Sequence, residues 1–223
     1  MRNYASVDIT NPAPRIPVVL VLDTSASMKG EPILELKKAL QQFIREISED
    51  EAASMSVELE IIPMTESAEQ LFPFTQTWEI ETKKIDPVAK YGTYTGKALQ
   101  RTLEDLNTRV ELYQSKGILY YRPWVIMMTD GKPGDPWKEQ ADILCDLASK
   151  DRIIYLGVGI GEKCDFNILK QMLPAAPGPL KLPGLKFREF FRFISGSLSA
   201  VSSSADSCDN IAKDRIKRLE DLI

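Results

Sequence analysis

The sequence predicts a doubly wound α/β domain, with a mostly parallel sheet flanked by helices and a C-terminal helical tail. Two apolar runs, Ile16–Leu22 (IPVVLVL) and 124–128 (WVIMM), hold no polar residue, as strands buried on both faces do. Segments of helical periodicity alternate with strand-like runs along the chain. Both apolar runs also lead into an aspartate, Asp23 in VVLVLD and Asp130 in VIMMTD.

The elements follow in order. Residues 23–30 read as a loop, and from 31 to 48 Ile33, Leu36, Leu40, Phe43, Ile44 and Ile47 recur at helical spacing. Pro32 suits a first helical turn. Residues 55–62 (MSVELEII) alternate as a strand, and 70–75 with 77–80 are expected to form a hairpin that Pro73 places at an edge. A second helix spans 95–114, with Ala98, Leu99, Leu103, Leu106 and Val110 inward and Thr95 as N-cap. Residues 136–149 form a helix capped by Asp135, 153–158 a strand and 165–172 a short helix. The stretch 174–184 is Pro/Gly-rich, and 187–198 reads as a packed helix with Phe187, Phe190, Phe191 and Phe193 in the core. In 206–223, Ile211, Ile216, Leu219 and Leu222 fit an amphipathic helix. The expected organisation is a lead-in over 1–13, one domain over 14–202 and a tail over 203–223.

Composition narrows the function. A chain of 223 residues, 43% hydrophobic, can bury one full core. Its net charge of -4 and pI near 5.1 exert no general pull on phosphate backbones. Lys213, Arg215, Lys217 and Arg218 are interleaved with acids, so nucleic acid is not an expected partner. Cys145, Cys164 and Cys208 are an odd, widely spaced set, which reads as free thiols in a reducing compartment. The opening MRNYASVDITNPAP has no apolar signal-peptide core, and no apolar run reaches the ~18 residues of a membrane span. A cytoplasmic location is expected. With no histidine, Ser-His-Asp and Cys-His mechanisms and His-ligated zinc or iron are excluded. A metal must then sit among oxygens, which favours Mg²⁺, Mn²⁺ or Ca²⁺.

In a doubly wound sheet, ligands bind beyond the carboxyl ends of the strands, where Asp23 and Asp130 are expected. Two carboxylates in one crevice repel each other, and a divalent cation removes that penalty. The loop Asp23-Thr24-Ser25-Ala26-Ser27, if extended, points Asp23, Ser25 and Ser27 to one side. The segment YGTYTG adds the Thr93 hydroxyl just before a helix. Tyr94, Pro133 and Trp137 stand where they form either a rim or core.

This combination resembles the von Willebrand factor type A domain and its metal-ion-dependent adhesion site. The matching residues are Asp23, Ser25 and Ser27 of a DxSxS loop, Thr93 of a GT loop and Asp130 of a TDG loop. Ala26 stands where the family usually has glycine. DTSASMKGEPI, TDGKPGDPW and FREFFRFISGSLSAVS resemble the TerY-like bacterial branch associated with tellurium resistance. The resemblance implies a non-catalytic interaction module in a stress-response pathway, with kinase or phosphatase partners. It also implies a metal with an open position for an Asp or Glu carboxylate of the partner. Ser25 and Ser27 would be direct ligands, Thr93 a switchable one, and Asp23 and Asp130 would hold waters and set the charge.

Two rivals read the same residues differently. In a haloacid-dehalogenase-like Mg²⁺-dependent phosphotransferase, Asp23 is the nucleophile, Lys97 or Lys116 the phosphate clamp, and Asp130 with Asp135 the metal ligands. Ser25 then stands where the general acid belongs, a chemical gap. A nucleotide site at Gly157, Gly159 and Gly161 rests on a GxGxG alone, which a strand exit needing small residues explains as well.

Overall fold

The computed structural model describes residues 7–90, 92–130, 132–161, 164–173, 178–204 and 215. Its centre is β1 (Ile16–Leu22), buried at all seven positions. The two sides of this strand feed two separate cores. Ile16, Val18, Leu20 and Leu22 join a cluster with Phe43, Phe187, Phe190 and Phe191. Val19 and Val21 join another with Leu99, Leu144 and Leu169. Period-two alternation thus becomes a sheet covered on both faces.

The described sheet has six strands in the order β3-β2-β1-β4-β5-β6. They are β2 (Val57–Pro63), β3 (Phe72–Gln76), β4 (Trp124–Thr129), β5 (Ile154–Ile160) and β6 (Pro179–Leu182) around β1. All pairs are parallel except β2 with β3. Helices α1 (Glu31–Glu49) and α6 (Phe187–Ser202) cover one face, where the Phe43 and Phe191 rings stand 5.0 Å apart. Helices α3 (Thr95–Lys116), α4 (Lys138–Ser149) and α5 (Phe166–Met172) supply the other core. The doubly wound prediction holds, and the phenylalanines of α6 serve the core as expected.

Four local expectations change. Residues 77–80 do not complete a hairpin: β3 pairs antiparallel with β2, and Thr77–Glu79 is a 3₁₀ turn. Pro73 nonetheless lies in an edge strand, where its missing N–H leaves no inner ladder broken. Helix α2 (Glu51–Ser56) takes the start of the expected 55–62 strand, because Asp50 caps it by accepting from the Ala53 N–H at 2.8 Å. The Pro/Gly-rich stretch contains β6, whose four residues carry too little pattern to read. Helix α4 begins at Lys138 rather than at residue 136. The expected tail helix over 206–223 lies outside the described residues apart from helical Arg215.

Candidate metal centre

The order of strands places the site. Chain winding reverses between β1 and β4, which lie side by side, so their carboxyl ends open into the switch-point crevice. The Asp23 N–H donates to the Met128 carbonyl at 2.8 Å and extends the ladder by one residue. Asp23 and Asp130 therefore meet because their strands pair, 107 residues apart in the chain.

Asp23 is fully buried and held on both oxygens. Its Oδ1 accepts from the Ser25 N–H at 2.8 Å. Its Oδ2 accepts from the Thr129 hydroxyl at 2.6 Å and from the Asp130 N–H at 3.3 Å. From there a chain of oxygens runs outward. Ser25 Oγ and Ser27 Oγ are 2.8 Å apart, and the Ser27 hydroxyl donates to Asp130 Oδ1 at 2.9 Å. Burial falls along that chain, from Asp23 and Ser25 inside to Ser27 in solvent.

The loop is not extended throughout. Ser25 has extended φ/ψ, but Ser27 sits in the 3₁₀ turn Ala26–Met28. The turn brings the two hydroxyls together where simple alternation does not.

Thr93 is placed through its backbone. Its carbonyl accepts from the Gly134 N–H at 2.7 Å, tying its loop to the segment after Asp130, and its side chain is buried. The neighbouring Tyr94 N–H donates to the Met64 carbonyl at 3.1 Å, just past β2. Four of the predicted residues thus form one hydrogen-bonded cluster, and the fifth lies in the adjoining loop.

Two assignments are corrected. Asp135 does not cap α4. Its Oδ1 and Oδ2 accept from the Gly96 and Lys97 N–H groups, each at 2.9 Å, and so cap α3 from 38 or more residues away. Thr95 is consequently the first residue of α3 rather than its N-cap. A Cβ at Gly96 would lie 1.8 Å from the Pro136 carbonyl oxygen, so only glycine lets the capping loop approach this closely. Thr129 was missed. It lies within the TDG signature, yet nothing in the sequence distinguishes a strand-end threonine from one that orients a carboxylate. Trp137 is half-buried and packs against the α3–α4 core.

The donor chemistry suits a hard divalent cation. Two carboxylates and three hydroxyls are oxygen donors, and only the carboxylates carry charge. Burial, and next the charge of Asp23, push the Asp130 carboxyl above its ordinary value, while the Ser27 hydrogen bond opposes this. A cation removes that repulsion. Cys164 lies behind the site, its Sγ 3.5 Å from the Thr129 carbonyl. Burial, with the Asp130 charge second, pushes its thiol up to about 11.

The rival chemistries find no support in this geometry. Asp135, needed as a second metal ligand by a phosphotransferase, is occupied as a helix cap. Lys116 ends the 22-residue α3, a length of about 33 Å from the site. The Lys97 amino group rests 5.0 Å from the Tyr94 ring centroid. The glycines of the nucleotide reading have packing roles: a Cβ at Gly157 would lie 2.3 Å from Leu173, and one at Gly159 2.6 Å from Phe166. Gly161 alone takes a left-handed φ, of +73°.

Comparison with known proteins agrees with this architecture. The vWF domain of the type V pili tip protein Mfa5 from Porphyromonas gingivalis superposes with a TM-score of 0.66 at 12% identity, covering 88% of this chain and 99% of that one. Proximal thread matrix protein 1 from the mussel byssus, solved with a zinc-occupied MIDAS motif, gives 0.61 at 19%, covering 84% and 48%. This chain therefore spans about half the length of the mussel protein. Manganese-loaded Plasmodium vivax TRAP protein gives 0.53 at 17%, covering 79% and 73%. No curated protein matches the sequence. The family model of the von Willebrand factor type A domain matches residues 18–188, and the chain belongs to that family.

Proposed function

We propose that this domain is a non-catalytic, divalent-metal-dependent module that captures a carboxylate from a protein partner. The observation that carries the reading is the oxygen chain Ser25–Ser27–Asp130, anchored on buried Asp23 and opening to solvent at Ser27. Asp23, Ser25, Ser27, Thr93 and Asp130 would hold the cation. Ser25 and Ser27 present hydroxyl oxygens directly, and Thr93 completes the set from its own loop. Asp23, with both oxygens already accepting, and Asp130 balance charge through water. When bound, the cation supplies a Lewis-acidic centre with room for one more oxygen ligand.

The two metal-bearing structures of similar fold support a divalent cation at this position, and Mg²⁺ is the one proposed, with Mn²⁺ or Ca²⁺ as substitutes. We assign the domain to residues 14–202, with 203–223 as a tail. We place it in the TerY-like branch, acting in the cytoplasm in tellurium resistance or stress response beside a kinase or phosphatase. No helix among the described residues is long and apolar enough to cross a membrane.

The test has two stages. Saturating Mg²⁺, at about a hundred times its dissociation constant, is expected to stabilise wild type by about 2.7 kcal/mol and Asp23→Ala hardly at all. A partner captured by wild type in Mg²⁺ is expected to be lost with EDTA and with Ser27→Ala. Retention of that partner in both cases refutes carboxylate capture.

A further inference from the structure

The described residues contain a cavity of 730 Å³ that no part of the proposed function uses. It arises from a mismatch in helix length. Helices α3 and α4 both start beside the metal crest and run toward the opposite edge of the sheet, but α3 has 22 residues and α4 has 12. The inner stripe of α3 therefore outruns its cover.

Leu103 and Leu106 on α3 and Ile143 on α4 line the end nearer the crest. Gln114, Arg122 and Arg152 line the far end, at the starts of β4 and β5. Pro123, Leu147, Asp151 and Ile153 also line that end, which is mixed in character but holds both cations of the lining.

The cationic end is held in shape. Helix α4 closes with the Arg152 N–H donating to the Leu147 carbonyl at 2.9 Å and the Asp151 N–H to the Ala148 carbonyl at 3.0 Å. This is a Schellman closure with Asp151, at φ 57°, in the position usually taken by glycine. The Asp151 carboxylate accepts from Arg122 at 2.9 Å and neutralises it. Arg152 is exposed and, among the described residues, has no carboxylate partner.

We propose that this cavity binds a small amphiphile with an anionic head, its apolar body along Leu103 and Leu106 and its head at Arg152. The volume falls within the usual range for small-molecule sites, about 300–1,000 Å³. The aliphatic end excludes a wholly polar anion, and the unpaired guanidinium selects an anion over a cation or a neutral head.

Decanoate, decan-1-ol and decyltrimethylammonium, below their aggregation thresholds, would compete with 8-anilinonaphthalene-1-sulfonate on the full chain. Decanoate is expected to displace the dye at about tenfold lower concentration than decanol, the weight of one charge-assisted contact. Arg152→Glu should remove that preference, and Ile143→Trp, at a half-exposed position, should block all three. Val110→Trp fills the middle, and a melting curve shows which variants fold. EDTA should change nothing, which separates this site from the metal crest. Equal displacement by the three amphiphiles, or unchanged decanoate binding in folded Ile143→Trp and Arg152→Glu, overturns the proposal.

Discussion

Among the described residues, paired carboxylates are held in opposite ways at two places. At the crest, Asp23 and Asp130 are bridged by hydroxyls and backbone N–H groups, with Ser27 open to solvent. Between β2 and α3, Glu58 and Glu60 are fully buried on one side of a strand. Glu58 is ion-paired to Arg15 at 3.3 Å and to Arg109, and it accepts a hydrogen bond from Tyr113. Glu60 shares the Gln70 amide with Asp105, at 2.6 and 2.7 Å. Burial, then the charge of Asp105, push the Glu60 carboxyl up to about 9. The network answers its negative charge internally, with guanidinium groups and a retained proton. The crest leaves its charge to be answered from outside. Closure makes structure, and the open charge at the crest is what the proposed cation would answer.

The largest test of that contrast is the guanidinium. Arg109→Ala leaves Glu58 buried beside fewer cations and is expected to lower stability by about 3–5 kcal/mol, read as a lower urea midpoint. Ser27→Ala, exposed at the crest, is expected to stay within about 0.5 kcal/mol. Equal losses would break the comparison.

Next is the retained proton. Because the folded value of Glu60 lies above its unfolded one, its contribution to stability is full below about pH 4.5 and is lost as pH rises toward 9. Glu60→Gln keeps a neutral group there. It should come close to wild type near pH 4 and exceed it at pH 9 by a few kcal/mol, seen in paired melting curves. Parallel curves for the two proteins would mean that Glu60 is ionised in the fold.

The smallest effect concerns the link between the regions, since α3 carries Asp105 and Arg109 and begins at the crest. Asp135→Ala removes the cap of α3 and is expected to cost about 1 kcal/mol. It should also weaken the Mg²⁺-induced thermal shift, because the loop of Thr93 is tied to the same segment. Loss of stability with an unchanged shift would show that the cap supports the helix alone.

The crest was far more legible than the network. Asp23, Ser25, Ser27, Thr93 and Asp130 stand in short segments beside apolar runs, so local pattern points to them. Glu58 and Glu60 sit in MSVELEII, where the alternation marks a strand but not what covers its charged side. Their burial depends on Arg109, Asp105 and Gln70, brought from elsewhere in the chain. The 3₁₀ turn at Ser27 and the exchange of caps by Asp135 were hidden for the same reason.

By itself the sequence determined which residue types the site could use, oxygen donors without histidine, and that two apolar strands would deliver a carboxylate each. Those are consequences of composition and period, which act over a few neighbouring residues. Only the tertiary structure decided that β1 and β4 lie side by side, that Thr129 orients Asp23 and that Asp135 serves α3. Hydrogen bonds between residues 38 to 107 positions apart depend on how the chain folds, and no local pattern encodes them.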